Sequence, residues 1–72
     1  PFIFSMKVTN TVAHIQWNSV PGQKYQLEGA NDLSGSAWND VGSEVTATGI
    51  IAEQTESTVG KPQRYYRVRL AP

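Results

Sequence analysis

Apolar side chains recur at every second position along the chain: Phe2, Phe4, Met6 and Val8; then Ala13, Ile15 and Trp17; then Tyr25 and Leu27; and finally Tyr66, Val68 and Leu70. A period of two puts these side chains on one face of an extended segment, so each segment is predicted to be a strand with a single buried face. No stretch carries the i, i+3, i+4, i+7 apolar stripe of an amphipathic helix, and the β-branched and aromatic content argues the same way. No helix is expected. Turn-forming residues separate the segments at Asn10, Pro21-Gly22, Asn31-Asp32, Ser34-Gly35-Ser36, Gly42, Gly49 and Gly60-Lys61-Pro62. Their spacing of roughly 8 to 12 residues is that of an all-β domain. The middle, WNDVGSEVTATGIIAEQTESTV, alternates weakly, and short strands are expected near residues 38–41, 45–48 and 50–55.

A sheet with one apolar face must cover it, by packing on a second sheet or by closing into a barrel. A small β-sandwich is the simplest arrangement. Its core is expected from Trp17, Trp38, Phe2, Phe4, Tyr25, Tyr66 and the aliphatic residues, with Trp17 and Tyr66 meeting from opposite sheets. At 72 residues the chain makes one domain, residues 1–72, and a domain of this size buries only about 60% of its unfolded surface. There is no cysteine to form a disulfide, and one histidine cannot assemble a zinc site alone. No cofactor is expected.

Six basic against six acidic residues give a formal net charge of zero, so no global field steers the domain toward nucleic acid or an anionic membrane. No apolar run approaches the roughly 18 residues of a membrane span, and no basic stretch precedes a signal-like segment. The chain reads as a domain or mature fragment of something larger, and a monomer is expected. The first segment, FIFSMKV, is an exception to watch, because an uncovered apolar edge strand invites pairing with another chain.

The block VAHIQWNSVPGQKYQLEGANDL, the following tryptophan and the closing PQRYYRVRL resemble the fibronectin type III-like, or immunoglobulin-like, modules of large secreted bacterial proteins. The resemblance covers most of the chain, from about Val12 to Leu70. It implies a sandwich in which Trp17 packs in the core and Tyr66 forms a corner by bonding back to upstream backbone. It also implies a secreted or cell-surface location, with neighbouring domains of the parent protein as partners. The sequence departs from the family pattern in lacking the seventh strand that follows the YRVRL strand. Either that strand is missing, or FIFSMKV covers the edge it would occupy.

Candidate chemistry is sparse. His14 alternates onto the face opposite Trp17, and no Gly-x-Ser-x-Gly elbow accompanies it, so a solvent-facing imidazole explains it. Asp32 and Asp40 could in principle form a glycosidase pair, and Asn31, Asp32, Asn39 and Asp40 a calcium site. Both sets stand in turn contexts, where Asp and Asn bond nearby backbone, and neither follows an ordered ligand pattern. Ser34-Gly35-Ser36 is too short to cradle a phosphate.

The closing strand is richer, because alternation sends Tyr65, Arg67 and Arg69 outward. The plainer reading pairs Arg67 or Arg69 with Glu28 across the ladder. The sharper one assembles Tyr65, Arg67, Arg69, Gln26 and Trp38 into a shallow aromatic and polar platform for a sugar. Trp38 is otherwise expected in the core or over its rim. The leading expectation is a non-catalytic accessory module, a spacer or docking domain, and not an enzyme. The alternative is a carbohydrate-binding module attached to a polysaccharide-active enzyme, with polysaccharide as its partner.

Overall fold

Asn10 and Thr11 both carry positive φ, 50° and 62°, the left-handed pair that closes a tight hairpin with the right-handed twist of its strands. The hairpin joins β1 (Ile3–Thr9) to β2 (Val12–Asn18). In this computed structural model the described residues are 2–34, 37–61 and 63–72, with Phe4 described by its backbone alone. They form five further strands: β3 (Lys24–Ala30), β4 (Asn39–Asp40), β5 (Val45–Thr46), β6 (Ile51–Ser57) and β7 (Tyr65–Ala71). No helix occurs among them.

Two antiparallel sheets pack face to face as a small β-sandwich. The first runs β1-β2-β6, and the second is built on β3. Along one edge β3 pairs over its whole length with β7, from Lys24–Ala71 to Ala30–Tyr65. Its other edge is shared by β4, opposite Glu28 and Gly29, and β5, opposite Lys24 and Tyr25. Because β6 packs beside β5 and Gln54 of β6 donates to the Ser43 carbonyl, that side of the sandwich is closed. The other side lies between β1 and β7.

The core follows the alternation of β2 and β3. Ala13, Ile15 and Trp17 face Tyr25 and Leu27 in one buried cluster, joined by Val41, Ala47 and Ala52. Trp17 meets Tyr25 edge-on with ring centroids 6.1 Å apart, a favoured aromatic geometry.

Several expected core positions lie elsewhere. Ile3 pairs with Trp17 but Ser5 pairs with Gln16, so β1 carries an extra residue at a β-bulge. The bulge breaks the Phe2, Phe4, Met6, Val8 alternation: Ile3 becomes the core residue, and Phe2 is 68% exposed. The expected core place of the Phe4 side chain lies outside the described residues. Met6 and Val8 do stand on the core face, directly opposite Ile15 and Ala13, yet they are 54% and 57% exposed. Leu70, opposite Tyr25, is also exposed at the end of β7. Trp17 and Tyr66 enter the core from opposite sheets, Trp17 inside the buried cluster opposite Ala52 and Tyr66 half-buried against that cluster opposite Gly29.

Candidate functional site

On the outer face of the second sheet, register sets Glu28 between Arg67 of β7 and Asp40 of β4. Arg67 Nε donates to Glu28 Oε1 at 2.7 Å, and Arg69 Nε donates to Oε2 at 3.1 Å. Arg69 also lies 3.7 Å from Asp40. The Arg67 guanidinium sits 4.3 Å from the centroid of the Trp38 ring, within range of a cation–π attraction. The hydrogen bond from Arg67 holds the Glu28 carboxyl below its ordinary value, helped by Arg69, while desolvation opposes the shift.

Four of the five expected platform residues therefore come together. Tyr65 lines one groove with Trp38, and its hydroxyl accepts a hydrogen bond from Gln63 Nε2 at 3.1 Å. Trp38 is half-buried beneath Arg67 and is not among the residues of the core cluster or those packed against it. Gln26 does not join them. It is 3% exposed, and its side-chain amide donates to the carbonyls of Leu27, Val41 and Gly42 at 2.8, 3.4 and 3.3 Å. The cause is the segment between β4 and β5, which arches over Gln26 after Val41 N bonds to the Leu27 carbonyl at 2.8 Å. Gly42 makes the bend with a φ of 67°, a conformation open to glycine at little cost.

A second cluster plugs the end of the sandwich nearest the β1–β2 turn, and sequence reasoning missed it. Glu56 pairs with Ala13, so it stands on the core face of β6. Arg64 binds its carboxylate in fork geometry, Nε to Oε1 at 3.0 Å and Nη2 to Oε2 at 2.9 Å, and the Tyr66 hydroxyl donates to Oε1 at 2.7 Å. Arg64 Nη1 also donates to Asn31 Oδ1 at 3.2 Å. Burial is the largest influence on Glu56 and pushes its pKa up, but the bonds from Arg64 and Tyr66 outweigh it, and the net direction is down. Desolvation, reinforced by Glu56, raises Tyr66. The guanidinium reaches inward because position 29 is glycine: a Cβ there would collide with Arg64 and crowd Val41.

The one sequence signal for this cluster is parity. Glu56 shares the inward parity of Ala52 and Gln54, and a buried carboxylate requires a partner. Tyr66 thus bonds a side-chain carboxylate and not upstream backbone. The tyrosine that does reach backbone upstream is Tyr25, whose hydroxyl accepts from Val20 N at 2.9 Å.

The remaining candidates are quieter. His14 is exposed on β2. Asp32 accepts from the Ser34 amide and hydroxyl in a local turn. Asn31, Asp32 and Asn39 do line a common depression, but Arg64 lines it too, and its guanidinium opposes a cation there. Among the described residues no group of three or more His, Cys, Asp or Glu side chains converges as metal ligands would. The expectation about Ser34-Gly35-Ser36 falls partly outside the described residues, as does the Pro62 end of the Gly60-Lys61-Pro62 turn. No helix is long and apolar enough to cross a membrane.

The open side of the sandwich carries uncovered apolar surface beside the core. Ile3, Met6, Leu33, Trp38, Tyr65 and Tyr66, with Arg64, line a groove of about 320 Å³; a second groove shares Met6, Arg64 and Tyr66 with it and adds Val8, Ala13, Thr58, Lys61 and Gln63. No protein-family model, curated protein or solved structure matches the chain.

Proposed function

We propose that the chain is a non-catalytic accessory module, fibronectin type III-like in kind, that serves as a docking or spacing domain of a larger secreted bacterial protein. One observation carries the reading: the ionic groups of the candidate face bind one another. Glu28 takes both arginines, and Arg67 covers Trp38. What is left unfilled is a cleft between the edge strands β1 and β7, apolar over Ile3, Met6, Leu33 and Trp38 and bordered by Arg64, a surface suited to polypeptide contact. The arrangement of β1-β2-β6 against β7-β3 also supports the family resemblance, since immunoglobulin-like sandwiches divide their strands in this manner.

A carbohydrate-binding role is the second reading, favoured by the groove that Trp38 and Tyr65 share. The two readings separate in a two-dimensional NMR titration of the labelled domain with soluble plant and microbial oligosaccharides. The accessory reading expects a silent spectrum across the panel. Localised, saturable shifts at Trp38, Tyr65 and Arg67 would replace it with the carbohydrate-binding one.

A further inference from the structure

Exposed large apolar side chains gather at the end of the sandwich where β2 finishes and β3 begins: Phe2, Val20, Ile50, Ile51 and Leu70. Backbone bonds draw their segments together there. Asn18 N donates to the Phe2 carbonyl at 3.1 Å, Ser19 N to the Ile50 carbonyl at 2.9 Å and Gly22 N to the Ala47 carbonyl at 2.8 Å, while Leu70 stands opposite Tyr25. None of the residues 2–3, 17–23, 45–52 and 70–72, which build this end, has a charged side chain. Of the charged residues that border them, Lys24 and Glu53 alternate onto the outer faces of the two sheets, opposite in parity to Tyr25 and Ala52. Glu44 precedes Val45, the partner of Tyr25, and so lies a step further from the end.

The same end carries matching relief. Val20, Tyr25 and Leu70, with the uncharged Asn18, Ser19 and Gln23, line a depression of about 320 Å³, and a space of roughly 150 Å³ already admits a ring the size of benzene. Beside it, Ile50 projects from the turn bonded to Ser19 and is 73% exposed, the most of any large apolar residue described. A surface bearing both a projection and a recess is complementary to itself, because a two-fold axis sets each isoleucine against the recess of the other copy. The lack of charge also spares such a contact the like-charge opposition that the β1–β7 cleft, with Arg64 and Lys61 in its lining, would bring. The two smaller extents of the molecule, 28 and 19 Å, bound an end of roughly 500 Å², below the ~800 Å² per partner of a standard stable interface and in the weak, transient class.

We propose that this uncharged end joins two copies of the chain in a weak, two-fold symmetric dimer, with Ile50 of each copy seated in the depression between Val20, Tyr25 and Leu70 of the other. The dimer departs from the monomer expected on sequence. It leaves Tyr65 free, since Tyr65 pairs with Ala30 at the far end of β3.

Sedimentation equilibrium tests this with the chain acetylated and amidated, so that no terminal charge is present. Concentrations run from about 20 µM to about 1 mM, the range suited to an interface of this size. The mean mass should rise from the 7.9 kDa of one chain toward twice that value. Mixed samples of labelled and unlabelled chain should give intermolecular NOEs from the Ile50 methyls to the Tyr25 ring. Ile50→Glu and Leu70→Glu should each weaken association at least about tenfold, because a symmetric contact then buries two unpaired carboxylates. Ile50 and Leu70 are exposed, so both variants should keep the parent unfolding midpoint at the lowest concentration. Val8→Glu, on the β1 edge, should associate as the parent does. A mean mass of one chain throughout the range overturns the proposal, whether or not the same end then binds neutral phosphatidylcholine vesicles. Association that Val8→Glu abolishes and Ile50→Glu leaves intact overturns it too, and assigns the contact to the open edge.

Discussion

Trp17 is the largest fully buried side chain, and its removal tests the core most directly. Trp17→Ala should destabilise by about 3 to 5 kcal/mol, a large share of the stability of any small domain, and urea unfolding would register it as a collapse of the midpoint. A variant with nearly the parent midpoint would show that the core does not depend on this ring. Trp17→Phe should be milder, because it keeps an aromatic beside Tyr25 and removes an indole N–H that is buried without a partner among the described residues. At the other end, Glu56→Gln should cost about 2 kcal/mol, since it weakens charge-assisted bonds to Arg64. Tyr66→Phe should cost about 1 kcal/mol. Both Arg64 Nε and the Tyr66 hydroxyl donate to Oε1 of Glu56, so the double variant should fall short of the sum of the singles. Strict additivity in denaturation midpoints would contradict a shared cluster.

Strands were legible in the sequence wherever neighbours on both faces obey one parity. Ala13, Ile15 and Trp17 alternate in the chain and are all fully buried in β2, and the Glu28 partnership with Arg67 and Arg69 follows from the pairing of β3 with β7. Alternation failed where geometry depends on something it does not encode. The bulge before Ser5 moves Ile3 onto the core face and leaves Phe2 in solvent, and nothing in FIFSMKV marks that insertion. Gln26 has the parity of Arg69 but is roofed by the arch between β4 and β5, a tertiary event decided by Val41 and Gly42. The arch supplies its own test. Gln26→Leu removes the donor that ties Val41 and Gly42 to β3, leaving carbonyls unpaired, and should cost about 1 to 3 kcal/mol. The Val41 amide, bonded to the Leu27 carbonyl, should then exchange markedly faster. Unchanged exchange at Val41 would mean that the backbone alone holds the arch.

For the whole molecule, pH acts through the same clusters, and the direction follows from which state binds protons more tightly. Glu28 and Glu56 both titrate below the ordinary glutamate value of 4.5 in the folded chain, so on acidification the unfolded chain takes up protons first. Their contribution is complete above that value and is lost as pH falls through the depressed native values. Tyr66 works at the opposite limit. Its pKa is raised above 10.0, so its contribution is complete below that value and is lost as pH rises through the native one. Stability should thus form a plateau through neutral pH with a decline on each side. Salt separates the two carboxylates: the Arg67 and Arg69 side chains around Glu28 are exposed and screened, whereas Arg64 and Glu56 are mostly covered. Urea midpoints should fall between about pH 5 and pH 3, and Glu56→Gln should flatten that fall even in high salt. A variant that retains the full acid slope would show that Glu56 is not a source of the acid sensitivity, whatever its bonds to Arg64 and Tyr66.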